Sequence, residues 1–162
     1  MVEGLGRFAE HFAAYADQYV LIGGAACTLA MEDVGQPFRA TKDLDIVLCM
    51  EALKPEFVAA FWEFVRGGAY RIQEKATGQR QYYRFQKPAS GGYPFMLELF
   101  SRTPDAFPVR DDSHLTPIPI DAAVASLSAI LLAGEYYEFL QSGKRVIQGV
   151  PIVGPEHLIP LK

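Results

Sequence analysis

The chain has 162 residues, which is the size of one ordinary domain with a single sizeable core. Half of the residues are apolar and about a fifth are charged, a balance typical of a soluble globular protein. The formal net charge of −4 argues against a protein whose whole surface binds nucleic acid, although it leaves room for a local basic strip.

Nothing in the sequence indicates export or a membrane span. The start, Met1-Val2-Glu3-Gly4, lacks a basic segment followed by an apolar one, and the longest apolar runs are shorter than a bilayer requires. Cys27 and Cys49 lie apart in apolar stretches, which favours two buried reduced thiols over a metal site. The three histidines are scattered, so no zinc pair is predicted. We therefore expect a cytoplasmic protein.

Helices and strands are predicted to alternate through the first half of the chain. Apolar residues at helical or strand spacing, bounded by turn residues, define these elements. They are a helix at 5–16, a strand at 19–22 ending in Gly23-Gly24, a helix at 25–31, a strand at 43–50, and a helix at 55–65 that stops at Gly67-Gly68.

The second half is predicted to add strands and one long helix. The strands are 70–74, 81–86, 94–100 and 146–153, and the helix begins at Asp121, passes Ala133 and continues to Leu140. A further helix is predicted to begin at 154–156. The pattern predicts one α/β (α+β) domain over residues 1–162, with a mixed sheet flanked by helices and a strand order that the sequence leaves open.

Two carboxylates are predicted to share one face of a strand. In the run Thr-Lys-Asp-Leu-Asp-Ile-Val at 41–47, Asp43 and Asp45 point the same way because side chains alternate along a strand. Two adjacent carboxylates repel each other unless a cation, a basic partner or water compensates. Mg²⁺ takes carboxylate oxygens together with substrate phosphates, so a metal site is one interpretation. The other is a solvated strand end.

A glycine turn lies one helix upstream of these carboxylates. Gly23 and Gly24 join an apolar strand to a helix, where backbone N–H groups approach a phosphate closely and the helix N-terminus favours negative charge. The alternative is a plain tight turn, and neither a Walker loop nor a dinucleotide fingerprint is present. The loop between the glycines and the carboxylates carries three polar or basic residues, Arg39, Thr41 and Lys42.

Together these motifs resemble the signature of the nucleotidyltransferase (polymerase-β-like) superfamily. The residues from Gly23 to Asp45 match its pattern of an apolar residue, two small residues, a spacer helix and Asp-x-Asp between apolar residues. The Arg-x-Thr-x-Asp-x-Asp form at 39–45 resembles the AbiEii-type branch, which includes toxins of toxin–antitoxin systems. The resemblance implies a nucleotidyltransferase-like core.

A third carboxylate is implied on a later strand. Glu98, in Met-Leu-Glu-Leu-Phe at 96–100, is the position that matches, and a glutamate within an apolar strand is costly to bury unless it is paired or bound to metal. The alternative is an outward-facing glutamate on a half-exposed strand.

The resemblance implies a two-metal mechanism. Asp43 and Asp45 would hold two Mg²⁺ ions, or Mn²⁺ in their place, about 3.5–4 Å apart. Glu98 would ligate the metal on the acceptor side and help to deprotonate the attacking hydroxyl. Gly23 and Gly24 would bind the phosphates of an NTP, and a nucleoside monophosphate would pass to a hydroxyl of an RNA such as tRNA, a protein or a small molecule.

Several basic residues have two interpretations. Arg39, Thr41 and Lys42 are candidate nucleotide-binding residues, although the two basic ones are equally consistent with surface charges. The segment 71–87 interleaves five basic residues with Tyr82, Tyr83 and Phe85, which indicates either an RNA-facing strand pair or a solvated face with core aromatics.

Two classes of function follow from the sequence. The first is an enzyme that transfers a nucleotide, and in the toxin branch such an enzyme has an antitoxin partner. The second is a nucleotidyltransferase-fold binding or regulatory module without catalysis. AbiEii-type relatives continue into a helical region that helps to form the cleft, and we expect this chain, which ends at 158–162, to lack it.

Overall fold

The computed structural model describes residues 2–38, 41–74, 80–102, 115–117 and 128–157. Within these ranges the chain forms four α-helices: α1 (Leu5–His11), α2 (Gly23–Asp33), α3 (Pro55–Gly68) and α4 (Gly134–Ser142). The same ranges hold nine strands: β1 (Tyr19–Ile22), β2 (Asp43–Leu48), β3 (Arg71–Glu74), β4 (Arg80–Gln86), β5 (Met96–Ser101), β6 (Leu115–Pro117), β7 (Ser128–Leu131), β8 (Lys144–Ile147) and β9 (Val150–Val153).

The described strands form one mixed sheet, which confirms the predicted fold class. The main order is β3-β4-β5-β2-β1-β9-β8, while β7 pairs with the end of β5 and β6 pairs with β7. β1 runs antiparallel to β2, whereas β2 runs parallel to β5 and β1 parallel to β9. β1 and β2 are therefore central strands, and the residues where they meet lie inside the domain.

One face of the sheet carries the aromatic core. Leu44, Ile46 and Leu48 of β2 alternate toward this face and are fully buried. α1 and α3 cover it with the aromatic side chains Phe8, Phe12, Phe57, Phe61 and Phe64. The aromatics of α3 recur at helical spacing, so one side of the helix is apolar.

α3 follows the sequence prediction at its start and departs from it at its end. Pro55 lies in the first turn, where its missing N–H is harmless. The helix passes through Gly67 and Gly68, and Ala69 ends it with a left-handed φ of 51°. The predicted end at residue 65 is therefore three residues too early, because both glycines belong to the helix.

The predicted long helix is confirmed from Gly134 to Leu140 but is wrong at Ser128–Leu131. Residues Ser128–Leu131 form β7, which pairs parallel with Phe100 and Ser101 of β5, and α4 begins only at Gly134. Ala and Leu favour helices locally, but pairing with an already formed strand overrides that preference. Asp121, the predicted start of this helix, lies outside the described residues.

The predicted last strand is a hairpin. β8 and β9 pair antiparallel around Gln148 and Gly149, which both have positive φ, 53° and 79°. Positive φ at both central residues defines the type I′ turn that suits the twist of two-residue hairpins. Pro155–His157 then forms a 3₁₀ turn where a helix was predicted to begin.

Across the ranges that the structure describes, no helix combines the length and the apolar character needed to cross a membrane. Both cysteines are free thiols, with Cys49 buried and Cys27 half-buried.

Truncation of Phe12 should destabilise the domain strongly. The ring of Phe12 is fully buried, with centroids of Phe8, Phe57 and Phe64 at 4.4, 5.4 and 5.6 Å. Phe12→Ala should lower the free energy of unfolding by about 3–5 kcal/mol, because it leaves a cavity that the neighbouring rings cannot fill. Urea denaturation measures this loss.

The matched control is Val34→Ala, since Val34 is 66% exposed and its loss removes little packing. A similar decrease in both variants would contradict the central role of Phe12.

Candidate functional site

A row of charged side chains crosses the middle of the sheet. Ile22 of β1 pairs with Asp45 of β2, Asp45 pairs with Glu98 of β5, and Glu98 pairs with Arg84 of β4. Directly paired residues lie on the same face, so the two carboxylates and the guanidinium share the face opposite the aromatic core. Asp43, two residues before Asp45, lies on this face as well.

The glycine turn lies against the Asp45 carboxylate. Gly23 has a left-handed φ of 66°, and a Cβ atom on it would collide with the Asp45 carboxylate oxygen. A Cβ atom on Gly24 would lie 3.1 Å from the hydroxyl oxygen of Thr41. Only glycine fits at position 23, because both its backbone conformation and its neighbour exclude a side chain.

The start of α2 opens beside the carboxylates. Ile22 precedes the helix and has no side chain able to cap it, and Gly24 in the first turn lines the cleft described below. The Gly24 carbonyl oxygen accepts a hydrogen bond of 2.8 Å from the Thr28 hydroxyl within the helix. The first N–H groups of a helix lack partners of their own and favour an anion in front of them.

An open cleft of about 620 Å³ lies in front of this arrangement. Its lining brings together residues from the turn, the loop and both carboxylate strands: Gly24, Thr41, Lys42, Asp43, Asp45, Phe95 and Met96. The volume is in the range of small-molecule sites, and the lining combines carboxylates with a lysine. Such a cleft has room for a nucleotide.

Ionisation of the Asp45 carboxyl is unfavourable in the folded protein. Burial, followed by repulsion from Glu98 and Asp43, raises the pKa of the Asp45 carboxyl to about 6, while Arg84 acts in the opposite direction. A cation between Asp43 and Asp45 would relieve this repulsion, and their oxygen atoms are the donors that hard divalent ions take. Asp43 and Asp45 therefore fit a divalent metal.

Glu98 has a different partner in this structure. Its side chain is buried and forms an ion pair with the Nε atom of Arg84. Among the residues that the structure describes, no three His, Cys, Asp or Glu side chains are arranged to hold a metal ion together. Glu98 fits the donor set chemically, but it would have to exchange Arg84 for the metal.

The structure brings most of the predicted site residues together. Gly24, Thr41, Lys42, Asp43 and Asp45 line one cleft. Gly23 lies behind the Asp45 carboxylate, and Glu98 lies beside Asp45 on the neighbouring strand. Arg39 lies outside the described residues.

Two residues beside the cleft are not predicted from the sequence. Arg84, the partner of Glu98, was included only as one of several basic residues in a segment. Phe95 follows a turn and precedes the β5 strand, and its aromatic side chain gave no signal of exposure at the site. Strand pairing reveals the position of Arg84, and the lining of the cleft reveals that of Phe95.

For the basic segment 71–87, the structure favours the interpretation in which its aromatic residues belong to the core. Tyr83 and Phe85 are buried, and Phe85 packs against Phe61 and Trp62 of α3. These rings are therefore not free to stack on RNA bases. The side chain of Tyr82 lies outside the described part of the chain.

Comparisons with models of protein families, with curated proteins and with solved structures found no match to this chain. Its function is therefore argued from the geometry of the site.

Gly23→Ala should destabilise the protein more than Gly35→Ala does. Both glycines have a left-handed φ, 66° and 72°, but a Cβ atom on Gly35 meets nothing within 4 Å. Gly35→Ala thus measures the backbone strain alone, about 1–2 kcal/mol. Gly23→Ala adds the collision with Asp45.

Chemical denaturation of the two variants gives the comparison. Equal losses would show that Asp45 does not restrict position 23.

Asp45→Asn should stabilise the metal-free protein at neutral pH. Because the folded pKa of Asp45 is raised above its unfolded value, ionisation opposes folding as the pH rises from about 4 to about 6. At neutral pH nearly the full penalty is present, on the order of 3 kcal/mol for a pKa raised from 3.8 to about 6, and asparagine does not incur it. The gain in stability should fall to a small fraction of this value near pH 4, where the aspartate is protonated in the folded state and about half protonated in the unfolded state.

Thermal unfolding of wild type and Asp45→Asn between pH 4 and 8, with a chelator present, measures this difference. Asp33→Asn removes an exposed carboxylate and is the control. A difference that stays constant with pH would contradict the assignment of the effect to Asp45 ionisation.

Proposed function

We propose that this chain is a metal-dependent nucleotidyltransferase that transfers a nucleoside monophosphate from an NTP to a hydroxyl group of an acceptor. One arrangement carries the proposal: Asp43, Asp45 and Glu98 share one face of two parallel strands, and Gly23 lies directly against the Asp45 carboxylate. A buried acidic group beside other carboxylates, in a cleft, is a strong candidate for a functional site.

Different residues of the cleft would bind different parts of the nucleotide. The N–H groups at the start of α2, around Gly24, would donate to phosphate oxygens, as helix N-termini commonly do. Lys42 would neutralise part of the triphosphate charge, and the Thr41 hydroxyl would donate a further hydrogen bond. These contacts hold the nucleotide with its phosphates toward Asp43 and Asp45.

The carboxylates would bind the metal and receive the proton. Asp43 and Asp45 would hold Mg²⁺ or Mn²⁺, which when bound stabilises charge on the phosphates and on the entering and leaving oxygens. Glu98, once separated from Arg84, would accept the proton of the acceptor hydroxyl. The hydroxyl oxygen then forms a bond to the α-phosphorus, and the bond to pyrophosphate breaks.

The resemblance to the AbiEii-type branch adds an acceptor and a partner to this proposal. It favours an RNA acceptor such as tRNA, and it favours a toxin whose activity an antitoxin protein restrains.

A second candidate is a nucleotidyltransferase-fold module without catalysis. The observation that favours it is the ion pair between Arg84 and Glu98, because the guanidinium already supplies the charge compensation that a metal would supply. In that case Asp43 and Asp45 would be structural remnants at a binding surface. The two candidates differ in their response to metal and nucleotide.

A thermal-shift experiment separates them. With each NTP in the presence of Mg²⁺ or Mn²⁺, the enzyme proposal expects a rise in melting temperature, because a ligand that binds the native state at a hundred times its Kd adds about 2.7 kcal/mol. The rise should require the metal and should be lost in Asp43→Asn, where one carboxylate donor is removed.

The control is Asp33→Asn, the same substitution at an exposed position of α2. A shift that is independent of metal, or that survives in Asp43→Asn, would count against the metal site. No shift with any nucleotide, together with a change in stability alone for Asp43→Asn, would favour the non-catalytic module.

A further inference from the structure

An exposed phenylalanine stands at the edge of the carboxylate cleft. Phe95 is 45% exposed, although α1 and α3 bury the other aromatics of the sheet core. It immediately precedes β5, and it lines the cleft together with Asp43 and Asp45. Its place at the edge of this cleft makes the exposed ring available to a ligand that binds there.

Backbone hydrogen bonds place a lysine on each side of this ring. The Phe95 N–H donates to the Lys42 carbonyl oxygen at 2.8 Å, and the Lys87 N–H donates to the Phe95 carbonyl oxygen at 3.0 Å. The three residues therefore form a row across the end of β2, β5 and β4. Both lysines are exposed, so the row presents an aromatic ring between two cations.

A second, smaller cleft lies on the other side of Phe95. It has a volume of about 240 Å³, and Phe95 and Lys42 line both it and the larger cleft. The rest of its lining comes from Glu3 and from residues 88–93.

The two clefts suit ligands of different size. Pockets for whole small molecules begin at roughly 300 Å³, so the smaller cleft has room for one part of a ligand and the larger one for a whole small molecule. A ring that borders both clefts would contact a group in the smaller cleft, while the atoms attached to that group extend toward Asp43 and Asp45.

We propose that Phe95 is the stacking platform for an unpaired base of a nucleic-acid acceptor, with Lys87 binding the adjoining phosphate. Exposed aromatics flanked by cations are the usual means of binding single-stranded nucleic acid, because every base has a face that can stack and every linkage carries a charge. This inference rests on the proposed nucleotidyltransferase function and names its acceptor class. It requires an acceptor with a single-stranded end.

The backbone conformation at Lys87 suits glycine, which makes Lys87→Gly a useful substitution. Lys87 has a left-handed φ of 52°, a conformation that costs a non-glycine residue on the order of 1 kcal/mol. Nothing in the turn itself requires a lysine there. Lys87→Gly would remove the charge and relieve the strain. A loss of binding in this variant could therefore not be attributed to a loss of stability.

The test is fluorescence anisotropy with a labelled 12-nucleotide oligoadenylate, as RNA and as DNA, in a chelator and without NTP. Phe95→Ala should weaken binding about 5- to 100-fold, the range found for loss of one stacked base. Phe95→Trp should retain affinity. Lys87→Gly should weaken binding and flatten its salt dependence by about one phosphate contact, while thermal unfolding shows a fold at least as stable.

Phe139→Ala is the matched control, because Phe139 is 40% exposed but lies on α4. An equal loss of affinity in Phe139→Ala, full affinity in Phe95→Ala, or no binding of either oligonucleotide by the wild type would overturn the proposal. A duplex of the same sequence should bind more weakly than the single strand, since its bases are not free to stack.

The experiment is independent of the proposed catalysis. It uses neither metal nor NTP, so the NTP thermal shift can fail while oligonucleotide binding succeeds, and the reverse. If Phe95→Ala abolishes the NTP shift and leaves oligonucleotide binding intact, the ring serves the nucleotide instead, and the acceptor proposal is wrong.

Discussion

The parallel pairing of β2 with β5 is the constraint on which the candidate site depends. It sets Asp45 directly beside Glu98 in a sheet whose opposite face is packed with aromatic rings. Two carboxylates in that position repel each other and lose hydration, so the protein needs positive charge nearby. Arg84 on the next strand supplies part of it from one side. The other side opens into the cleft, where Lys42 and the start of α2 are located.

The Asp45 carboxylate also restricts which residue can occupy the neighbouring turn. Gly23 has no room for a side chain because the Asp45 carboxylate occupies the space in front of it. The strand, the turn and the helix after it therefore pack closely around this carboxylate. Such packing favours one position of Asp45 before a ligand arrives, which lowers the entropy cost of binding.

The sequence predicts the carboxylate strand well and its surroundings less well. Strand alternation alone puts Asp43 and Asp45 on one face, and the turn at Gly23 is visible from its two glycines. Glu98 could be matched only through a family resemblance, since no local pattern says which strand lies beside β2. The partner of Glu98 and the exposure of Phe95 depend on that same non-local pairing. Ser128–Leu131 was predicted as helix for a related reason, because its strand exists only by pairing with β5.

The hairpin of β8 and β9 has a consequence for solubility. β9 pairs in parallel with β1, whose four residues are all buried, and the two strands are separated by more than a hundred residues of chain. If the hairpin detached, β1 would present unpaired N–H and C=O groups along an apolar edge, which is a template for pairing with another molecule. The hairpin thus protects the protein from self-association. Substitutions that disrupt its tight turn should cause aggregation.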